Sequence, residues 1–150
     1  MSQATASQVT YAPGTTTQVL PSSARFATDY DAVVATMGHY IEGGRAGDSS
    51  LMRPHFLADA TMVGHCGGVL LTGSIGQLFE WIDANGPAPD LETRFASVAI
   101  HETIAVVHLE NERWSGKLAG TETHMSDAFT LVKTDAGWRI AHKIFHWHVN

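Results

Sequence analysis

The apolar residues change period near Leu91, and that change narrows the folds open to this chain more than any other feature. Before it, large apolar side chains recur at helical spacing in two stretches. After the turn "PAPD" they alternate, through "TRFASVAIHETIAVVHLENERW", "GTETHMSDAFTLVK" and "GWRIAHKIFHWHV". Alternation is the mark of half-buried strands, because successive side chains point to opposite faces. The first run divides near His101 and Glu102 into two antiparallel strands, and "TDAG" turns the third strand into the fourth. Helices followed by an antiparallel meander predict an α+β domain, with the helices packed on one face of a curved sheet. A chain of 150 residues suits one such domain.

Within the first half, "TDYDAVVATMGHYIEGG" predicts a helix over about 29–42. Thr28 and Asp31 form a capping-box-like start, and Gly43 with Gly44 supply the stop. Its apolar stripe is Tyr30, Val33, Val34, Met37, Tyr40 and Ile41, with His39 off the stripe. "LMRPHFL" reads as a short helical connector interrupted by Pro54, and "ADATMVGHCG" as a strand over about 60–66, followed by the extended "GVLLTG". Ser74 with Gln77 makes a second capping box for a helix that buries Ile75, Leu78, Phe79 and Ile82 and ends at Gly86. Residues 1–25 are rich in Ser, Thr, Gln and Ala and read as a flexible arm, in which Tyr11, Val19 and Leu20 offer anchors for draping across a partner subunit. Residues 26–150 form the single domain.

Composition excludes several classes. The formal charge of -6 is spread without an acidic or basic block, so neither nucleic acid nor a charged membrane surface is an expected partner. No stretch approaches the roughly 20 apolar residues of a membrane span, and the start lacks the basic and apolar run of a secretory signal. With Cys66 the single cysteine, a cytoplasmic setting is expected. No Gly-rich phosphate loop, Walker pattern or nucleophile elbow occurs, so no cofactor is expected.

The last hairpin locates the chemistry. If Lys133 pairs with Trp138, an unbroken register places Asp127 opposite Ile144, Phe129 opposite His142 and Met125 opposite His146. One face then carries Met125, Asp127, Phe129, Leu131, Trp138, Ile140, His142, Ile144 and His146 toward the core. A carboxylate among such side chains needs a partner, and either His142 or His146 is within diagonal reach, giving an Asp–His acid–base pair or a structural tie between strands. His146 and His148, two apart, share a strand face about 7 Å apart at Cα. Nothing in the spacing makes further ligands converge on them, so no metal is expected. Tyr40 is a core aromatic or a pocket-lining hydroxyl, and Trp81 packs at a helix edge or covers a pocket mouth. Of His65 and Cys66 only one can face inward, with His65 preferred. His101, His108 and His124 receive no role.

The element order, with "HYIEGGRAGDSSLMRPHFLADATMVG" and "MSDAFTLVKTDAGWRIAHKIFH", resembles the nuclear transport factor 2-like superfamily and, within it, the "Putative lumazine-binding" family, a SnoaL-like branch. The resemblance runs from about Tyr30 to His146. It implies a cone-shaped domain with a pocket between helices and sheet, and a homodimer formed through the outer sheet face. Three functions follow as expectations. One is a cofactor-independent isomerase, dehydratase, cyclase or hydrolase acting on a small, largely apolar organic molecule. Another is a binding module for a planar heterocycle, and the third a structural dimerisation domain. Asp127, His146 and His142 are the expected acid–base residues, and Tyr40, His65, Trp81, Phe129 and Met125 the expected ligand contacts.

Overall fold

The computed structural model describes residues 9–10, 16–17, 22–114 and 123–148. Of the arm, Val9–Thr10 (β1) and Thr16–Thr17 (β2) form a short antiparallel ladder. Tyr11, Val19 and Leu20 lie outside the described residues. Helix α1 then runs over Ser22–Ala46, starting well before residue 29. Long-range contacts, which no local cap reveals, fix its first turns. The Arg25 guanidinium pairs with Glu102 at 2.7 Å, and the buried Asp29 carboxylate accepts from Lys133 Nζ at 2.6 Å and Trp138 Nε1 at 3.3 Å.

The helix also continues through Gly43 and Gly44 and stops at Gly47. Gly47 adopts φ +65°, and the amides of Gly47 and Asp48 donate to Gly44 and Gly43 carbonyls, the bond pattern of a Schellman C-cap. On its inner side Val33, Met37, Tyr40 and Ile41 are buried as the periodicity predicts, whereas Tyr30 is exposed.

Two 3₁₀ turns, Ser49–Leu51 and Arg53–His55, form the connector, with Pro54 near the start of the second, where its missing N–H costs nothing. Strand β3 covers Phe56–Cys66, longer than the stretch its β-favouring residues mark. The extension is explained by Phe56, which is buried edge-on against Phe79 with centroids 5.3 Å apart. Gly67 and Gly68, both at positive φ, make the two-residue turn into β4, Val69–Ser74. Helix α2, Gly76–Asn85, buries Leu78, Phe79 and Ile82. Its capping box does not form: Ser74 Oγ accepts from the Gly76 amide, but the Gln77 side chain turns to the Thr72 carbonyl.

Strands β5 (Glu92–His101), β6 (Ile104–Glu112), β7 (His124–Thr134) and β8 (Gly137–His148) complete a six-stranded sheet in the order β4-β3-β8-β7-β6-β5. All neighbours are antiparallel except β3 and β8. The α+β architecture is therefore the one the change of period predicts. The inner sheet face packs Val107, Leu109, Phe129, Leu131 and Ile140 against α1 and α2, and a site embedded in that face sits in a dry, close-packed medium. Among the described residues no helix is long and apolar enough to cross a membrane.

Candidate active site

The β7–β8 hairpin decides which side chains enter the core. Lys133 pairs with Trp138 and Leu131 with Ile140, as expected, but the register then shifts, and Thr130 pairs with His142. Ala141 is the extra residue of a bulge. A one-residue slip exchanges the faces of everything beyond it. Asp127 consequently lies opposite Phe145, Phe129 opposite Lys143 and Met125 opposite Trp147, in place of the unbroken pairing with Ile144, His142 and His146. Lys143, Phe145 and Trp147 point inward, and His142, Ile144 and His146 point outward.

The expected hydrogen bond from Asp127 to a histidine is accordingly not made. His142 Nδ1 meets Thr61 Oγ1 at 2.7 Å on the outer face, and His146 lies near His65 there, with ring centroids 6.3 Å apart. His65 is exposed, and its neighbour Cys66, a free thiol, packs against the core, reversing the preference stated for that pair.

Asp127 has different partners. Its side chain is 0% exposed, and Oδ2 accepts from the Tyr40 hydroxyl at 3.0 Å and from Asn111 Nδ2 at 2.8 Å. Thr93 Oγ1 donates to Asn111 Oδ1 at 2.7 Å, which turns the amide so that its NH₂ group faces the carboxylate. Lys143, 1% exposed, brings Nζ to 3.1 Å from Oδ1. That contact is a buried ion pair, and apart from Lys143 no donor reaches Oδ1 among the described residues. Burial pushes the Asp127 carboxyl up from the usual carboxylate value, and the attraction of Lys143 and the Tyr40 hydrogen bond only partly oppose it. Burial, then the nearby Asp127 charge, holds the Tyr40 phenol well above its ordinary value, so Tyr40 remains a donor.

Aromatic rings and a thioether surround the amine. Nζ stands 4.9 Å from the Phe145 ring centroid, 5.8 Å from that of Tyr40 and 5.9 Å from that of Trp114, with Met125 Sδ at 3.7 Å. Phe129 meets Tyr40 edge-on at 4.8 Å. Trp114 stacks on Trp81 at 6.3 Å, and Trp81 meets Trp147 edge-on at 5.4 Å. Of the expected ligand contacts, Tyr40, Phe129 and Met125 thus gather around Asp127 and Lys143, Trp81 stands one ring further out behind Trp114, and His65 lies on the other face. Asn111 escaped notice although Ala105, Val107, Leu109 and Asn111 alternate along β6 and place it on the core face. Nothing short of the bulge could have located Lys143.

The outer face holds a second polar group. Glu110 accepts from His108 at 2.7 Å, His124 at 2.6 Å and Ser126 at 2.8 Å, and Ser126 also meets His148 at 2.9 Å. Burial pushes Glu110 up, but these hydrogen bonds outweigh it and leave its carboxyl lowered. His146 and His148 sit edge-on with centroids 4.7 Å apart, and among the described residues no three His, Cys, Asp or Glu side chains are arranged to hold a metal ion. A depression of about 490 Å³ on this face is lined in part by His65, Leu70, His108, Ile144 and His146.

Chemically, the inner group unites a carboxylate poised to take a proton, a phenol held as a donor and an amine, all within apolar walls. That combination suits proton transfer at carbon beside a carbonyl group.

The family model described as "Putative lumazine-binding" matches residues 28–146. A protein of Cladobotryum sp. named aldolase FrzH is 32% identical over 120 residues, covering 80% of this chain and 92% of its own length. Among solved structures, a nuclear transport factor 2-like protein of unknown function from Shewanella baltica is 31% identical with a TM-score of 0.75, over 83% of this chain and 98% of its own. Another, from Methylobacillus flagellatus, is 32% identical with a TM-score of 0.73, over 81% and 94%. With a family model matched over residues 28–146 and solved relatives at 31% and 32% identity sharing the fold, the chain belongs to the "Putative lumazine-binding" family of the nuclear transport factor 2-like superfamily.

Proposed function

We propose that this protein is a cofactor-independent enzyme that makes or breaks a carbon–carbon bond next to a carbonyl group, in a small, largely apolar organic molecule. The observation that carries the reading is Asp127. It is a fully buried carboxylate with one oxygen fixed by Tyr40 and Asn111 and the other facing the Lys143 amine alone, 3.1 Å away. Burying such a group is costly unless something compensates for it, and a substrate proton supplies a reason to keep it. Asp127 is the base that removes a proton from the carbon beside the carbonyl, and Tyr40 and Asn111 hold it in place. The 32% identity to a protein named aldolase FrzH supports this branch of acid–base chemistry over hydrolysis. His142 and His146, on the outer face of the sheet, take no part in this scheme. The single free thiol, Cys66, fits a cytoplasmic setting. A homodimer through the outer sheet face, where Leu70, Ile104, Val106 and Ile144 are exposed, belongs to the same proposal.

The test is solvent deuterium exchange into small ketones such as cyclohexanone. Wild type should accelerate exchange beside the carbonyl, and Asp127→Asn should lower that rate by about 10²–10⁴-fold, the usual contribution of a positioned base. The wall of Trp81, Trp114 and Trp147 favours a second reading, the stacking of a planar heterocycle without turnover. A rise in melting temperature with lumazine or a pterin, without any exchange, would select it.

A further inference from the structure

We infer that Lys143 is a nucleophile, forming a covalent imine with a ketone or aldehyde that carries a hydrogen on the adjacent carbon. The inference rests on the carbon–carbon bond chemistry proposed above and names the substrate class of the same site.

The environment of Nζ carries it. An ammonium has three N–H donors to satisfy, and in water it finds three oxygen acceptors. Lys143 is 1% exposed. Among the described residues, its hydrogen-bond partner is the Met125 thioether at 3.7 Å, a weak acceptor. Asp127 Oδ1, its ion-pair partner, lies 3.1 Å away, and the remaining walls are the Tyr40, Trp114 and Phe145 rings. The amine must give up a proton before it attacks, and the Asp127 carboxylate, 3.1 Å away in the same walls, is the group placed to take it. Burial raises the Asp127 carboxyl from its ordinary value, the direction that eases this transfer. The neutral amine is the form that attacks a carbonyl, and desolvation in an apolar pocket is an established way to activate a lysine.

The steps balance. The Nζ lone pair forms a bond to the carbonyl carbon, and the proton lost by nitrogen passes to the carbonyl oxygen. The resulting hydroxyl leaves as water with the proton of Asp127, giving an iminium ion and an ionised Asp127. Asp127 then removes a proton from the adjacent carbon, and the electrons of that C–H bond flow to the iminium nitrogen to form an enamine. The enamine carbon attacks a second carbonyl, and the new alkoxide takes the proton back from Asp127. Water hydrolyses the remaining iminium, freeing the product and restoring the amine and the acid. A carbonyl reaches Nζ only when the rings around it part, and the half-buried Trp81 and Trp147 form the outer side of that wall.

The test is reductive trapping of the full chain with acetone or cyclohexanone and cyanoborohydride, read by intact mass and peptide mapping. The sequence holds three lysines, Lys117, Lys133 and Lys143, so assignment is direct. The expected result is one reductant-dependent alkyl adduct on Lys143, which forms faster than any adduct on the other two despite the burial of Lys143. Lys143→Met and Lys143→Arg, each shown to be folded by cooperative melting, should lose that adduct. An adduct confined to Lys117 and Lys133, or none at all, overturns the inference. If ketone deuterium exchange persists in that case, the acid–base reading survives alone. If exchange is absent as well, both fail.

Discussion

At the scale of single residues, Asp127 and Lys143 are the least expected pair in the molecule, an ion pair at 0% and 1% exposure in a core of aromatic rings. Desolvation of two charges offsets most of their attraction, so the pair contributes little net stability, yet removing one partner leaves a buried charge with nothing to balance it. Asp127→Asn and Lys143→Met alone should each destabilise the fold by about 3–5 kcal/mol, while the double variant should return close to wild type. Urea denaturation of the four proteins measures this coupling, and additive losses would show that the two groups do not sense each other. The sequence exposed half of the pair. Asp127 stands out because a carboxylate in the alternation of Met125, Phe129 and Leu131 has to face the core. Tyr40 is likewise fixed by the helical stripe. Lys143 sits between Ala141 and Phe145 in a strand whose two faces are both rich in large side chains, and composition alone does not say which face is inner.

Strand β8 shows why at the scale of the element. Its inner residues are Trp138 and Ile140 before the bulge and Lys143, Phe145 and Trp147 after it. The parity change is present in the sequence as two aromatic residues at odd positions, but Ile144 on the alternate face gives the unbroken register an apolar residue of its own. A bulge spends one residue to re-aim all that follow, and it carries no composition signal as strong as a hairpin turn. The turns were legible for that reason. The break at His101 and Glu102 and "TDAG" are both where their chemistry places them. The bulge also yields a prediction. Because Ala141 is the unpaired residue, deleting it leaves Leu131 paired with Ile140 and Thr130 with His142, and keeps Lys143 inward. The deletion variant should therefore fold cooperatively with a lowered melting temperature. Deleting Ile144 instead carries Phe145 and Trp147 to the outer face and should abolish the cooperative transition. Differential scanning calorimetry of both variants decides this, and equal behaviour would mean that the bulge does not set the register.

For the whole molecule, β8 joins two surfaces with different tasks, one alternation apart. Lys143 and Phe145 belong to the buried inner face, while Ile144 and His146 belong to the outer sheet face, as do Val106 and Ile104 on β6 and Leu70 on β4, one strand removed on either side. An outer face with Leu70, Ile104, Val106 and Ile144 at 56%, 54%, 46% and 51% exposure presents a strip of apolar side chains, spread over β4, β8 and β6, of the kind that a second copy covers. A two-fold dimer would place the same strip on itself, and a stable interface of this type buries about 1,200–2,000 Å² in total. Light scattering after size exclusion should give twice the chain mass at micromolar concentration, and Ile144→Glu, a charge at the centre of the strip, should reduce it to a monomer. Because Ile144 points away from Asp127 and Lys143, the monomeric variant should retain ketone deuterium exchange and borohydride-dependent labelling of Lys143. Loss of both on dissociation would mean that the pocket is complete only in the assembled pair, and a wild-type monomer would mean that the strip is an ordinary solvent face. The two surfaces can be varied independently only because the bulge assigns consecutive residues of one strand to opposite sides of the sheet.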